Sequence, residues 1–225
     1  MDLFEIHNRI NLILSKKTGD YFAPGEIDDL LDMAQMQEFN LLIENSRELP
    51  NPRIGYARTR SVHEDLMPFF SSVTLDESTN LAASGVHKLP ANVGYVTGVR
   101  KGDKQVDILS EDKIAARLGS EIVRPTDSKP VAMMAGFDGS SRLIELFPIT
   151  ASGVTVYFLY RPSIPTLAYT QVERVLAYDP DGSIQLKWSD RVTERIIQRA
   201  LSMAGLNLDD YNLAQYNDQK QQTGA

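Results

Sequence analysis

The chain has 225 residues, 42% of them hydrophobic, with 23 Lys and Arg against 30 Asp and Glu for a net charge of -7. A chain of this length buries roughly 70 to 75% of the surface its unfolded form exposes, enough for a self-sufficient core, while the acid excess repels phosphate and disfavours general nucleic-acid binding. Cysteine is absent, which excludes disulfide stapling and thiolate metal ligation.

The N-terminal residues Met1 to His7 include an acid at Asp2 and no apolar run of signal-peptide length. No apolar stretch approaches the ~20 residues of a membrane span, so the expectation is a soluble protein used without export. Leu3, Ile6, Ile10, Ile13 and Leu14 fall at helical spacing and predict an amphipathic helix over residues 3–15. Lys16 to Asp20 should stop it, because lysine suits the negative end of the helix dipole and Gly19 accepts a left-handed turn. Pro24 opens a second helix, with Glu26, Asp28 and Asp29 at its positive end. Ile27, Leu30, Leu31, Ala34, Leu41 and Leu42 continue its apolar stripe to about residue 45.

The Pro50-Asn51-Pro52 run and Gly55 forbid regular helix, and beyond Pro68 the pattern shifts toward alternation. Strands are predicted at 71–75, 93–99, 105–109, 131–135, 142–147 and 153–160, rich in Val, Ile and Tyr and bounded by turn residues. Lys101-Gly102-Asp103 and Phe137-Asp138-Gly139-Ser140 read as hairpin connections, since glycine supplies the positive φ such turns require. A short helix is expected over 111–118, capped by Ser110 and closed by Gly119. Segment 78–92 fits no element.

Ser189 is the N-cap of a last helix whose buried stripe is Val192, Ile196, Ile197, Ala200, Leu201 and Ala204, with Gly205 ending it. A weaker helix should follow from Asn207 with Leu208, Tyr211 and Ala214, before a polar tail from Asn217. The expected fold class is α+β: terminal helices packed beside a central antiparallel, sandwich-like β domain. The expected parts are residues 1–70, 71–185, 186–216 and the tail 217–225.

The residues suggest no catalytic chemistry. His7, His63 and His87 fall in unrelated segments without an acid or second histidine at ligand spacing. Asp179-Pro180-Asp181-Gly182-Ser183 starts like a calcium loop but lacks its later ligands and reads as a turn. No glycine cluster leads into Lys-Ser or Lys-Thr as a phosphate cradle would. Adjacent acids at Glu111-Asp112 and Asp209-Asp210 point in different directions on a helix and complement its dipole. Catalytic, cofactor and metal residues are therefore expected to be none, and the chain is not read as an enzyme. Lys187, Arg191, Arg195 and Arg199 form a cationic row at spacing four. It reads either as a solvated face relieved by Asp190 and Glu194, or as an interface stripe meeting a neighbouring subunit's acids or passing DNA.

Three segments carry a resemblance. Asn11 to Phe39 contains Lys-Lys-Thr-Gly-Asp-Tyr-Phe-Ala-Pro-Gly-Glu-Ile and then a helix with Ala34, Gln35, Glu38 and Phe39. Arg142 to Pro148 and Val154 to Pro165 are a pair of strands, the second ending in Arg161-Pro162-Ser163-Ile164-Pro165. Leu186-Lys187-Trp188 leads into the helix 191–204, then Gly205 to Asp210 and Gln215-Tyr216. Together they resemble the head-to-tail connector adaptors, or neck-ring proteins, of tailed bacteriophages of the crAss-like and related Bacteroidetes groups.

The resemblance implies a virion structural protein in a homo-oligomeric ring of about twelve copies. The ring would dock beneath the portal protein, contact adjacent neck or tail rings, and line a channel through which DNA passes without specific binding. It implies location in the virion neck, after synthesis in the host cytoplasm, with no membrane contact. The tail, including Tyr216 and Gln219, would reach an adjacent ring and join the cationic row as interface. The alternatives are a minor capsid or tail component, or a β-sandwich ligand-binding module. The module would need exposed aromatic residues, whereas the single tryptophan, Trp188, sits at a helix entrance.

Overall fold

The computed structural model describes residues 1–18, 22–47, 64–76, 81, 84–149, 152–172 and 175–207. The chain divides into two compact units: Met1–Pro68 with Pro162–Ala225, and Phe69–Arg161. The fold is α+β, with helices near both termini and a curled, mostly antiparallel sheet between them in sequence. No helix among the described residues is long and apolar enough to cross a membrane.

The first unit is built on α1 (Leu3–Thr18), α2 (Pro24–Arg47) and the last helix, here α4 (Asp190–Asn207). Leu3, Ile6, Ile10 and Leu14 form the buried stripe of α1, and α1 runs through the two lysines expected to stop it. In α2 the side chain of Glu26 accepts the backbone N–H of Ala23 at 2.8 Å, half of a capping box that supplies one otherwise orphaned donor. Ile27, Leu30, Leu31, Ala34 and Leu42 are buried as expected, but Leu41 is 39% exposed. The buried row passes instead through Gln35, Glu38 and Phe39, which lie on the Ile27–Leu31 face while Leu41 has rotated off it.

On α4, Val192, Ile196, Ile197, Ala200, Leu201 and Ala204 are all buried. Each large aliphatic side chain taken out of water there contributes about 1.5–3 kcal/mol. Ser189 caps the helix, accepting the N–H of Val192 at 3.4 Å. The helix continues through Gly205 to Asn207 rather than ending at the glycine, since glycine inside a helix costs only about 1 kcal/mol and Gly205 is itself buried. The weaker helix expected from Asn207, with Tyr211 and Ala214, lies beyond the described residues.

The same unit holds a strand pair that sequence patterning left unassigned, β8 (Tyr169–Val172) against β9 (Val175–Tyr178). The N-terminus is anchored to it. Phe4 stacks on Tyr178 at 4.9 Å, the Tyr178 hydroxyl donates to Asp2 at 2.8 Å, and Gln185 bridges by donating to Tyr178 and accepting from the Leu3 N–H.

The second unit follows a single turn of 3-10 helix at Met67–Phe69. Its strands are β1 (Phe70–Leu75), β2 (Val86–Lys88), β3 (Val93–Lys101), β4 (Lys104–Ile108), β5 (Val131–Asp138), β6 (Ser141–Phe147) and β7 (Val154–Tyr160), in the order β1-β7-β3-β4-β5-β6-β2. The six predicted strands are present. β2, within the unassigned segment 78–92, is the addition: three residues that pair with β6 at Val86↔Glu145 through Lys88↔Leu143.

Gly102 and Gly139 close the β3–β4 and β5–β6 hairpins at φ of 56° and 60°. The sheet is not wholly antiparallel, because β4 runs parallel to β5 at Asp107↔Val131 and Ile108↔Ala132. A parallel neighbour requires a crossover, and the short helix α3 (Glu111–Leu118) lies in it. Its ends differ from the expectation. Ser110 makes no side-chain cap bond, and Gly119 closes the helix at φ -76°, in the right-handed region, so no left-handed turn is used. β4 is thus shared by both halves of the sheet, which curls around a core of Leu75, Val99, Val106, Ile144, Leu146, Val156 and their neighbours.

Candidate functional site

Three of the four cations in the row lie on α4 and meet acids of the same chain, while Lys187 precedes the helix. Arg191 lies 2.6 Å from Asp65 Oδ2, and Arg195 reaches the same oxygen at 3.4 Å. Arg195 Nε stands 2.9 Å from Glu38 Oε1, a charge contact off the hydrogen-bonding angle, and Arg199 Nε donates to Glu38 Oε2 at 2.8 Å. The result is a ladder in which two carboxylates bridge three guanidinium groups. The carboxylates form its buried side: the Glu38 side chain is 1% exposed and that of Asp65 6%, against 60% for Arg191. Burying a carboxylate without a partner costs several kcal/mol, so the arginines are what allow Glu38 to stand in the α2 stripe.

The ladder continues into uncharged contacts. Asp65 accepts from Ser189, the α4 cap, at 3.3 Å. Trp188 Nε1 donates to Gln35 Oε1 at 3.4 Å and its ring meets Phe39 edge-on at 6.4 Å. Gln35 in turn donates to Asp32 and to the carbonyl of Ser163, both at 2.9 Å. The tryptophan therefore packs rather than projecting as a ligand platform.

The acids expected to relieve the cationic row bind elsewhere. Asp190 takes the ammonium of Met1 at 3.1 Å, and Glu194 pairs with Arg9 of α1. Lys187 is exposed. Tyr216 and Gln219, the remaining candidate interface residues, lie outside the described residues, as does His63.

The helices also join a histidine to an acid that sequence spacing did not connect. His7 Nε2 is 2.9 Å from Asp28 Oδ1, while Asp28 Oδ2 accepts the backbone N–H of Leu167 at 3.1 Å. Both side chains are buried, so the pair fastens α1, α2 and the 162–168 segment together. Among the described residues no hydroxyl hydrogen-bonds to it, and it reads as a structural clamp. In the β unit, burial lowers the pKa of His87 below its usual 6.5, and a backbone hydrogen bond and the charge of Asp76 oppose that shift. Asp179 accepts the Gly182 N–H at 3.1 Å, so the acidic loop is a side-chain-closed turn.

Among the described residues no group of three or more His, Asp or Glu is placed to hold a metal ion. An open cleft of about 480 Å³ lies where β4 leaves β3 to join β5, lined by Thr97, Gly98 and Val99 on one side and Gln105 to Leu109 on the other. Asp107 at its edge is paired with Arg117 at 3.1 Å. No family model matches the chain, and no curated protein matches it either.

What sequence reading missed in the ladder is the partner. Asp65 and Glu38 are distant from α4 in the chain, and only folding brings them to it. One signal was available: Glu38 falls at helical spacing from Leu31, Ala34 and Leu42 on a buried face, and a charge in such a row requires an opposite charge from another element.

Proposed function

We propose that the chain is a virion structural protein, a ring-forming adaptor of the head-to-tail connector in a tailed bacteriophage. The observation that carries the reading is a meeting of residues from two of the three resembling segments. Gln35, Glu38 and Phe39 of the first touch Trp188, Arg195 and Arg199 of the third. The polar and aromatic residues on which the resemblance rests thus form one buried contact set, as residues that specify a common fold would. The second segment supplies β6 and β7, whose Ile144, Leu146, Val154 and Val156 belong to the β core. In this reading the ladder is internal scaffolding, and the surface left for neighbouring subunits lies elsewhere.

Negative-stain microscopy and mass photometry of the purified protein, with imaging of virions, test the proposal. Closed rings, or density for the chain at the portal-proximal neck, are expected. A protein found neither as a ring nor at the neck would overturn it. Density on the capsid shell or along the tail would reassign it as a minor capsid or tail component.

A further inference from the structure

The two units differ in charge. Phe69–Arg161 holds ten Lys and Arg and ten Asp and Glu, so the whole net charge of -7 resides in the helical unit. Within the neutral β unit, Lys88 and Arg117 are paired with acids of the same unit. The tip of the β3–β4 hairpin gathers three of the ten cations within five residues. Arg100, Lys101 and Lys104 crowd around a two-residue turn with Asp103 as the local acid. Lys101 and Lys104 stand directly opposite each other across the ladder, on one face of the hairpin and with no ion pair among the described residues. Like charges in that position are destabilising, so the tip gains from an anionic partner.

An acid-rich helix face is present on the helical unit. α2 contains six acids and no Lys or Arg before its final residue. Glu26, Asp28, Asp32 and Glu38 each accept a hydrogen bond within the unit. Asp29 and Glu44 make no ion pair among the described residues and are exposed, on the same helix face as Met33 and Leu41, which are 50% and 39% exposed. This is a stripe with an acid at each end and two apolar side chains between. Lysine stems cover such apolar surface well while their ammonium groups reach the flanking carboxylates.

We infer that the β3–β4 hairpin tip of one copy docks on the Asp29–Met33–Leu41–Glu44 face of α2 in the next copy. The two patches are unlike, so the contact is head-to-tail and each copy offers one of each, the arrangement that generates a ring when its rotation closes. The inference rests on the ring reading and names the surfaces that would build the ring.

A charge swap tests it. One variant carries Lys101→Glu with Lys104→Glu, and a second carries Asp29→Lys with Glu44→Lys; circular dichroism checks that each folds. In the first, tip and stripe are both acidic; in the second, both are basic. Mass photometry and sedimentation velocity should show each variant alone shifted at least tenfold toward monomer relative to the native chain. An equimolar mixture should reassemble, because each acidic tip then meets a basic stripe and each basic tip an acidic one. Assembly of either variant alone at native strength would overturn the docking and leave the ring reading standing. A mixture that stays monomeric would also overturn it. A native chain that remains monomeric throughout would sink both. Retention of duplex DNA by the native chain, lost in the Lys101→Glu, Lys104→Glu variant without self-association, would assign the tip to phosphate and reject the pairing.

Discussion

In the helical unit, α2 carries Gln35 and Glu38 among its buried aliphatic residues; Trp188 answers the first, and Arg195 and Arg199 of α4 answer the second. In the β unit, the central cluster from Leu75 to Phe158 is packed hydrocarbon, and the buried polar side chains among the described residues are His87 and Ser141, with no buried carboxylate. Both arrangements exclude water, but they differ in what they specify. Apolar packing tolerates many partners of similar volume. A buried carboxylate tolerates only a partner with opposite charge at hydrogen-bonding distance, so the ladder fixes which face of α4 meets α2 and at what register. The difference predicts that the β unit responds to lost volume and the helical unit to lost charge.

The largest effect should come from placing a charge where the helical unit has no partner to offer. Ile196 is fully buried on α4, and Ile196→Asp should cost on the order of 4 kcal/mol or more. Trp188, the chain's one tryptophan, reports on this unit, so its fluorescence should show the helical unit unfolded or strongly destabilised. A native-like denaturation midpoint would show that α4 is dispensable to the core.

A volume change in the β unit comes next. Ile144 is completely buried in β6, and Ile144→Ala should cost about 2–5 kcal/mol through lost burial and the cavity left behind. Hydrogen exchange should show the loss in β3, β6 and β7 amides, with little dependence on salt.

Glu38→Ala should follow at about 2–3 kcal/mol, the range for losing buried hydrogen bonds to a charged group. Arg195 is partly exposed and can rehydrate, which limits the cost. In an Arg199→Met background the same substitution should cost distinctly less. Additive costs in that double-mutant cycle would mean that the ladder contributes no coupling and would break the contrast between the units.

The smallest effect concerns acid. Burial lowers the His87 pKa, so the folded β unit holds a neutral ring where the unfolded chain would bind a proton. Stability from this source is complete above the unfolded value of 6.5. It falls as pH drops from there through the folded pKa. Unfolding of the native chain should therefore be easier at pH 5 than at pH 7, by more than in a His87→Gln variant. Equal pH dependence in the two would remove His87 from the account.

The helices show where sequence patterning succeeds. The spacings of Leu3, Ile6, Ile10 and Leu14, and of Val192, Ile196 and Ala200, state which face is buried, because the period of the apolar residues is the period of the backbone. The same logic fails for β2, β8 and β9, which are three or four residues long. So short a run contains no measurable period, and its pairing, with distant β6 for β2 and with each other for β8 and β9, decides whether it is a strand at all. It also fails for Leu41, an apolar residue that adjoins the stripe without being buried with it.

The sequence by itself determined the α+β class, six of the strands, both capped ends of the helix-forming stretches at Pro24 and Ser189, and the two glycine hairpins. These are local properties, set by side-chain period and by the backbone angles that particular residues accept. The tertiary structure alone decided that β4 lies parallel to β5, that Asp28 faces His7, and that Glu38 and Asp65 face the arginines of α4. Each joins residues far apart in the chain, and no local preference encodes the partner. Only the requirement that a buried charge or an open strand edge be answered does so, and it acts once the core has closed.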